Sequence, residues 1–148
     1  MLARTALFST AIAFALIATP AFAQDEETVW NDIETIHGDA DGFFTLLGTL
    51  QDAVTNEDAT IIADSAFYPL LVNANGESYD VLEAQDLLDD FEALVYPETL
   101  DALTTQDVDD LIVTSEGVGI GNGAIWLTNV CLDDACAQTQ WGILSINN

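Results

Sequence analysis

Residues 124–132 read Ala-Ile-Trp-Leu-Thr-Asn-Val-Cys-Leu, and residues 135–147 read Ala-Cys-Ala-Gln-Thr-Gln-Trp-Gly-Ile-Leu-Ser-Ile-Asn. Only Asp133-Asp134 separates them. β-Branched and aromatic residues are frequent in both runs and two turn-forming acids lie between, so the stretch predicts two long antiparallel strands. Just upstream, Asn122-Gly123 is a hairpin signal, preceded by shorter strand candidates at Leu111–Ser115 and Gly117–Ile120. The last third of the chain is predicted to be a sheet.

The preceding segments read differently. Asp25 to Ile36 places Val29, Ile33 and Ile36 at helical spacing, with acids in the first turn, where they suit the positive end of the helix dipole. Gly38 is the predicted stop. Asp41 is the predicted cap of a second helix, whose stripe is Phe43, Leu46, Leu47, Leu50 and Val54. Asp58 begins a third, short helix through Ile61 and Ile62. Phe67–Val72 is a short apolar strand, which Pro69 assigns to an edge or to a strand start. Asn75-Gly76 turns it back into Glu77–Val81. A helix with Val81, Ala84, Leu88, Phe91 and Val95 on one face follows, and Pro97 opens the next, to about Leu103. Helices first and a sheet last predict an α+β fold, with N-terminal helices packed on a curved antiparallel sheet.

The first 23 residues read as an address. Met1–Arg4 holds the chain's single Lys or Arg, Ala6–Ala18 is apolar, and Thr19-Pro20-Ala21-Phe22-Ala23 supplies a breaker and small residues. That is the pattern of a secretory signal peptide cleaved after Ala23. The apolar run falls short of the roughly 20 residues that a span needs, and acids follow at once. The expected organisation is a signal peptide over 1–23 and one domain over 24–148, with no membrane anchor after cleavage. The expected location is periplasmic (or secreted).

Charge then becomes the dominant constraint. The chain has 26 Asp and Glu, and residues 24–148 contain all of them with no Lys or Arg. A nucleic-acid binder neutralises phosphates with Lys and Arg, so that class is excluded. Enzymes that clamp anionic substrates with cations are disfavoured. A fold of this size exposes about 6,500 Å², which spaces the charges about 16 Å apart. The screening length is about 30 Å at 0.01 M salt and about 8 Å at 0.15 M. Carboxylates therefore repel one another in dilute buffer and hardly at all in brine, which points to saline surroundings.

Three segments carry a resemblance: Tyr68-Pro69-Leu70-x-Val72, Gly117–Trp126 and Trp141–Asn147. With the order helix, helix, strand, hairpin, helix and terminal strands, they resemble the NTF2-like (cystatin-like) cone of small exported bacterial proteins. The resemblance implies an NTF2-like α+β domain over most of residues 41–147. Superfamily members range from isomerases, cyclases and dehydratases to pure binding modules. Its enzymes use a His or Asp deep in the cone, and no acid here aligns with such a position, so no catalytic residue is carried over.

Candidate chemistry is sparse. Cys131 and Cys136 are expected to form a disulfide across the Asp133-Asp134 turn, as cross-strand neighbours in an oxidising compartment. Redox activity would need a C-x2-C spacing and a nearby cation. His37, the lone histidine, is expected to sit at a helix C-terminus. No G-x-S-x-G turn accompanies it. Asp39-Ala40-Asp41-Gly42 imitates a calcium loop, but His37 and Gly48 would occupy the first and twelfth positions, where acids are needed. Asp86–Asp90 and Asp107–Asp110 read as solvated faces open to loose Ca²⁺ or Mg²⁺ association. No metal site and no cofactor is expected. In the resembling fold a cavity lies between sheet and helices, and Tyr68, Tyr96, Trp126 and Trp141 are candidates to line it. Core packing is the plainer role for all four, and Trp126 with Trp141 is a candidate cross-strand pair.

Three functional classes follow: a non-catalytic module that binds a small apolar ligand or a partner; a cone-type acid/base enzyme, whose base would be a buried carboxyl of raised pKa; and an acidic interaction or inhibitor protein that meets a basic protein partner. A homodimer through the sheet is a further expectation.

Overall fold

The computed structural model describes residues 25–148. The expected signal peptide lies outside the described residues. The architecture is α+β, with helices packed on an open six-stranded mixed sheet.

Helix α1 (Glu26–His37) starts at Asp25, whose carboxylate accepts from the Thr28 amide at 2.8 Å, and stops at Gly38 with φ 77°. It buries Val29 and Ile33. Helix α2 (Ala40–Thr55) is capped by Asp39, which accepts from the Gly42 amide at 2.9 Å, rather than by Asp41. Gly38 turns the chain so tightly that the next side chain is already in capping position, leaving Asp41 in the first turn. α2 buries Phe43, Leu47, Leu50 and Ala53. Its exit is a Schellman motif: the Asp58 amide donates to Ala53 O at 2.8 Å and the Glu57 amide to Val54 O at 3.1 Å, with Glu57 at φ 55°. Asp58 caps α3 (Ala59–Asp64) through the Thr60 amide.

The sheet combines β1 (Ala66–Ala74), β2 (Glu77–Val81), β3 (Ile112–Val113), β4 (Val118–Ile120), β5 (Ile125–Cys131) and β6 (Thr139–Asn147), in the order β2-β1-β6-β5-β4-β3. It is not wholly antiparallel: β1 and β6 run parallel, Leu71 beside Ser145 and Val72 beside Ile146. Residues 75–138 form the long excursion that a parallel return requires. Pro69 is therefore on an interior strand, just ahead of Leu70, the first residue paired with β2. It sits in the register shift between Ala66 and Leu71, one of the few interior places that tolerates a residue without an amide hydrogen. Asn75 and Gly76, at φ 56° and 77°, close the β1–β2 hairpin as a type I′ turn demands.

The single helix expected across Val81–Val95 does not form. Val81 ends β2, and two short helices follow, α4 (Ala84–Asp89) and α5 (Phe91–Leu94), broken at Asp90 with φ −117°. Pro97 then opens α6 (Pro97–Thr104). The six α-helices among the described residues lie toward one face of the sheet, where Leu70, Val72, Leu127, Ile143 and Ile146 meet Phe43, Leu50, Leu87 and Leu103 in one buried cluster. At about 25 cal/mol per Å² of apolar surface, each such side chain stabilises the fold by about 1.5–3 kcal/mol.

Candidate functional site: an acid-rimmed groove between helices

A groove of about 990 Å³ opens between the end of α2, the start of α3 and the α4–α5–α6 segment. Its floor is apolar, formed by Val54, Ile62, Leu88, Phe91, Val95 and Leu100. Ile62 and Val95 are buried, whereas Val54, Leu88, Phe91 and Leu100 are half-buried. Glu57 and Asp58 stand on one rim, and Asp89, Asp90 and Glu92 on the other. The groove exists because the chain breaks at two places. The Schellman exit turns α2 away, and the bend at Asp90 keeps Leu88 and Phe91 from continuing one helix across the gap. Glu57, Asp89, Asp90 and Glu92 are exposed, Asp89 accepting from Gln85 Nε2 at 2.7 Å, and Asp58 is half-buried with its carboxylate on the Thr60 amide.

The wall at residues 94–99 is fixed from the other end of the chain. Asn148 Oδ1 accepts from the Tyr96 amide and from Thr99 Oγ1, both at 2.8 Å. Its Nδ2 donates to Leu94 O at 2.9 Å and Asn73 O at 3.1 Å. The sequence gives no motif for this clamp, since one Asn at position 148 has no local pattern around it.

The four aromatic candidates take separate places, and none of them lines this groove. Tyr68 donates to Ala63 O at 2.7 Å. Burial, reinforced by Asp64 and Asp86, pushes its hydroxyl up to about 12. Tyr96 brackets the β1–β2 turn, donating to Asn75 Oδ1 at 2.7 Å and accepting from the Asn75 amide at 2.9 Å. Trp141 is buried on the helix side, its ring 5.2 Å from Phe43 and 5.1 Å from His37, and its indole N–H donates to Asp39 O at 2.8 Å. Trp126 pairs with Ser145 and Trp141 with Asn129, so the two are not cross-strand partners. Trp126 instead lies across Gly119, where a Cβ would stand 3.2 Å from its ring.

His37 ends α1, as expected, and its Nε2 donates to Thr114 O at 2.8 Å. Asn129 Nδ2 donates to His37 O at 3.0 Å, while Asn129 Oδ1 is a buried acceptor with no partner among the described residues. This corner ties the helices to the sheet. Among the described residues, no group of three or more His, Cys, Asp or Glu is placed to hold a metal.

Cys131 and Cys136 are disulfide-bonded, with Cα atoms 4.7 Å apart. They are not the cross-strand pair expected, because Cys131 faces Thr139 and β6 begins only there. Asp133 is the physical reason: its carboxylate accepts from the amides of Ala135, Ala137 and Gln138 at 3.0, 3.0 and 2.9 Å. Those amides, led by Ala137, hold the Asp133 carboxyl below its ordinary value. Residues 132–138 thus form a capped loop instead of strand.

Comparison with protein-family models, with curated proteins and with solved structures returned no match.

Proposed function

We propose that this chain is an exported, non-catalytic binding module of the NTF2-like type, adapted to saline surroundings, and that the groove is its binding site. The carrying observation is the groove: a large apolar floor beneath a rim of solvated carboxylates. Concave surfaces with an apolar floor are the usual form of ligand sites. A cone-type acid/base enzyme would draw on a buried carboxyl, and every Asp and Glu among the described residues is at least partly exposed, which favours binding. Helices gathered on one face of a six-stranded sheet support the cone reading. The disulfide and the apolar run before Ala23 support export.

The test is fluorescence of an uncharged apolar probe, N-phenylnaphthylamine, with the chain and with Phe91→Asp. Saturable binding that the variant weakens at least tenfold is expected. Equal binding to both, or none to either, overturns the assignment of the groove. Amino-terminal sequencing of protein from its host should begin at Gln24.

A second reading rests on the open sheet face. The strands carry only Glu77 and Asp80 of the 26 acids, both on edge strand β2. Leu71 and Leu144 are each 41% exposed on strands that carry no acid. In so acidic a chain this is the surface on which two copies can meet without charge repulsion. Sedimentation of Leu71→Asp/Leu144→Asp beside the parent tests it: a dimer that the substitutions dissociate is expected, and a monomeric parent removes the reading.

A further inference from the structure

The groove has a chemical signature beyond being apolar. Carboxylates flank it on both sides, Glu57 and Asp58 across from Asp89, Asp90 and Glu92. Residues 24–148 contain no Lys or Arg that could fold over and neutralise them. An occupant that fills the floor without cations would leave two facing rows of acids uncompensated, next to desolvated apolar surface. An occupant with cations and no apolar face would leave Val54, Leu88, Phe91 and Leu100 in water.

Shape narrows the choice. A helix is about 11 Å across and two turns of it about 11 Å long, a cylinder of about 1,000 Å³. The groove measures about 990 Å³. The two volumes are of the same order, so a short helical segment matches the capacity of the groove. The groove is open rather than enclosed, which suits a ligand buried on one face only. We infer that the groove docks a cationic amphipathic helix of a partner protein, apolar side chains on the floor and Lys or Arg on both flanks against the rims. This deepens, and rests on, the reading of the groove as the binding site.

The test uses a fluorescent 14-residue Leu/Lys peptide with Leu at i, i+3, i+4 and i+7, read by anisotropy in 0.15 M NaCl. A Leu/Glu peptide with the same apolar face and a Ser/Lys peptide without one are the comparisons. Any polycation will be drawn weakly to so acidic a chain, so position decides. Glu57→Gln/Glu92→Gln is expected to weaken the Leu/Lys peptide about tenfold. Asp109→Asn/Glu116→Gln, an equal charge change outside the groove, is expected to weaken it less than twofold. Glu57→Gly separates binding from folding. It relieves a left-handed residue, so it should raise the Tm while weakening the peptide.

Equal weakening by the two double variants overturns the inference in favour of diffuse attraction. Equal binding of the Leu/Glu or Ser/Lys peptide overturns it as well. Dodecyltrimethylammonium binding where the peptide does not would reassign the groove to a small lipophilic cation. N-phenylnaphthylamine binding without peptide binding overturns the cationic helix and leaves the binding-site reading standing; failure of both probes removes both.

Discussion

Asn148→Ala should be the most damaging single change at an exposed position. The Asn148 side chain makes four hydrogen bonds, two of them part-buried, to Thr99 Oγ1 and Leu94 O. The other two, with the Tyr96 amide and Asn73 O, are exposed. Water replaces the exposed pair at small cost, about 0.5 kcal/mol each. The part-buried pair costs about 1 kcal/mol each, and the buried Thr99 hydroxyl, 3% exposed, loses its acceptor. The total is about 3 kcal/mol, a fall in Tm of about 10 °C for a domain of this size. Urea denaturation of Asn148→Ala, Thr99→Val and the double variant forms a cycle. In the Thr99→Val background the Asn148 change should cost about 1 kcal/mol less, because no hydroxyl remains to be stranded. The Tyr96 amide should also exchange faster, and groove ligands should bind more weakly as the wall loosens. A loss under about 0.5 kcal/mol, or strict additivity in the cycle, would refute the reasoning.

Salt should stabilise the fold: between 10 mM and 1 M NaCl the Tm is expected to rise by about 5–10 °C, and a flat profile removes the saline reading. Cys131→Ser/Cys136→Ser should cost up to about 2 kcal/mol, the chain-entropy value for a six-residue loop, measured by thermal melts under matched conditions. Asp133 is held below its ordinary value of 3.8 in the folded chain, so its contribution is full above that pH and is lost as pH falls through the folded value. The Ala135, Ala137 and Gln138 amide resonances should titrate together with a midpoint under 3.8, and Asp133→Asn should abolish that shared transition. Gly117→Ala should cost about 1–3 kcal/mol, because its Cβ meets the Leu127 carbonyl in the facing strand. Gly48→Ala, which meets nothing within 4 Å, should instead stabilise α2 by about 0.5–1 kcal/mol in the same melts.

What was legible in the sequence is what short-range chemistry decides. Gly38, Asp58, Asn75-Gly76 and Pro97 do the jobs their residue types suggest, since each acts within four residues of itself. The helix stripes through Val29 and Ile33, and through Phe43, Leu47 and Leu50, follow from periodicity alone. The parallel pairing of β1 with β6 was not legible, because partner choice joins Val72 to Ile146 and no local pattern records it. Asp90 defeated the long helix for a different reason: Leu88, Phe91 and Val95 keep helical spacing whether or not the backbone between them bends. The groove was hidden by the same ambiguity. Val54, Leu88, Phe91 and Leu100 read as core residues, and only the juxtaposition of segments distant in the chain leaves them half-covered.

The absence of Lys and Arg from residues 24–148 explains how the acids are used. With no Lys or Arg beside them, the carboxylates here accept from backbone N–H groups and from uncharged side chains such as Trp30, Tyr79 and Gln85. Asp25, Asp39, Asp58 and Asp133 each accept at least one backbone amide. Three of them cap α1, α2 and α3, and the fourth shapes the disulfide loop. Hydrogen bonds of this kind are charge-assisted, so a domain without Lys or Arg can still turn acidity into local order. The carboxylates of Glu57, Asp90 and Glu92, by contrast, receive no donor from another described residue. Their fold-level work is done by the backbone: Glu57 supplies the Schellman turn and Asp90 the bend. Gly or Asn would serve the Schellman position with less strain, which leaves the charge of Glu57 without a folding role. That surplus charge stands over the apolar floor of the groove, which is why a cationic amphipath, rather than a neutral one, is the occupant to test first.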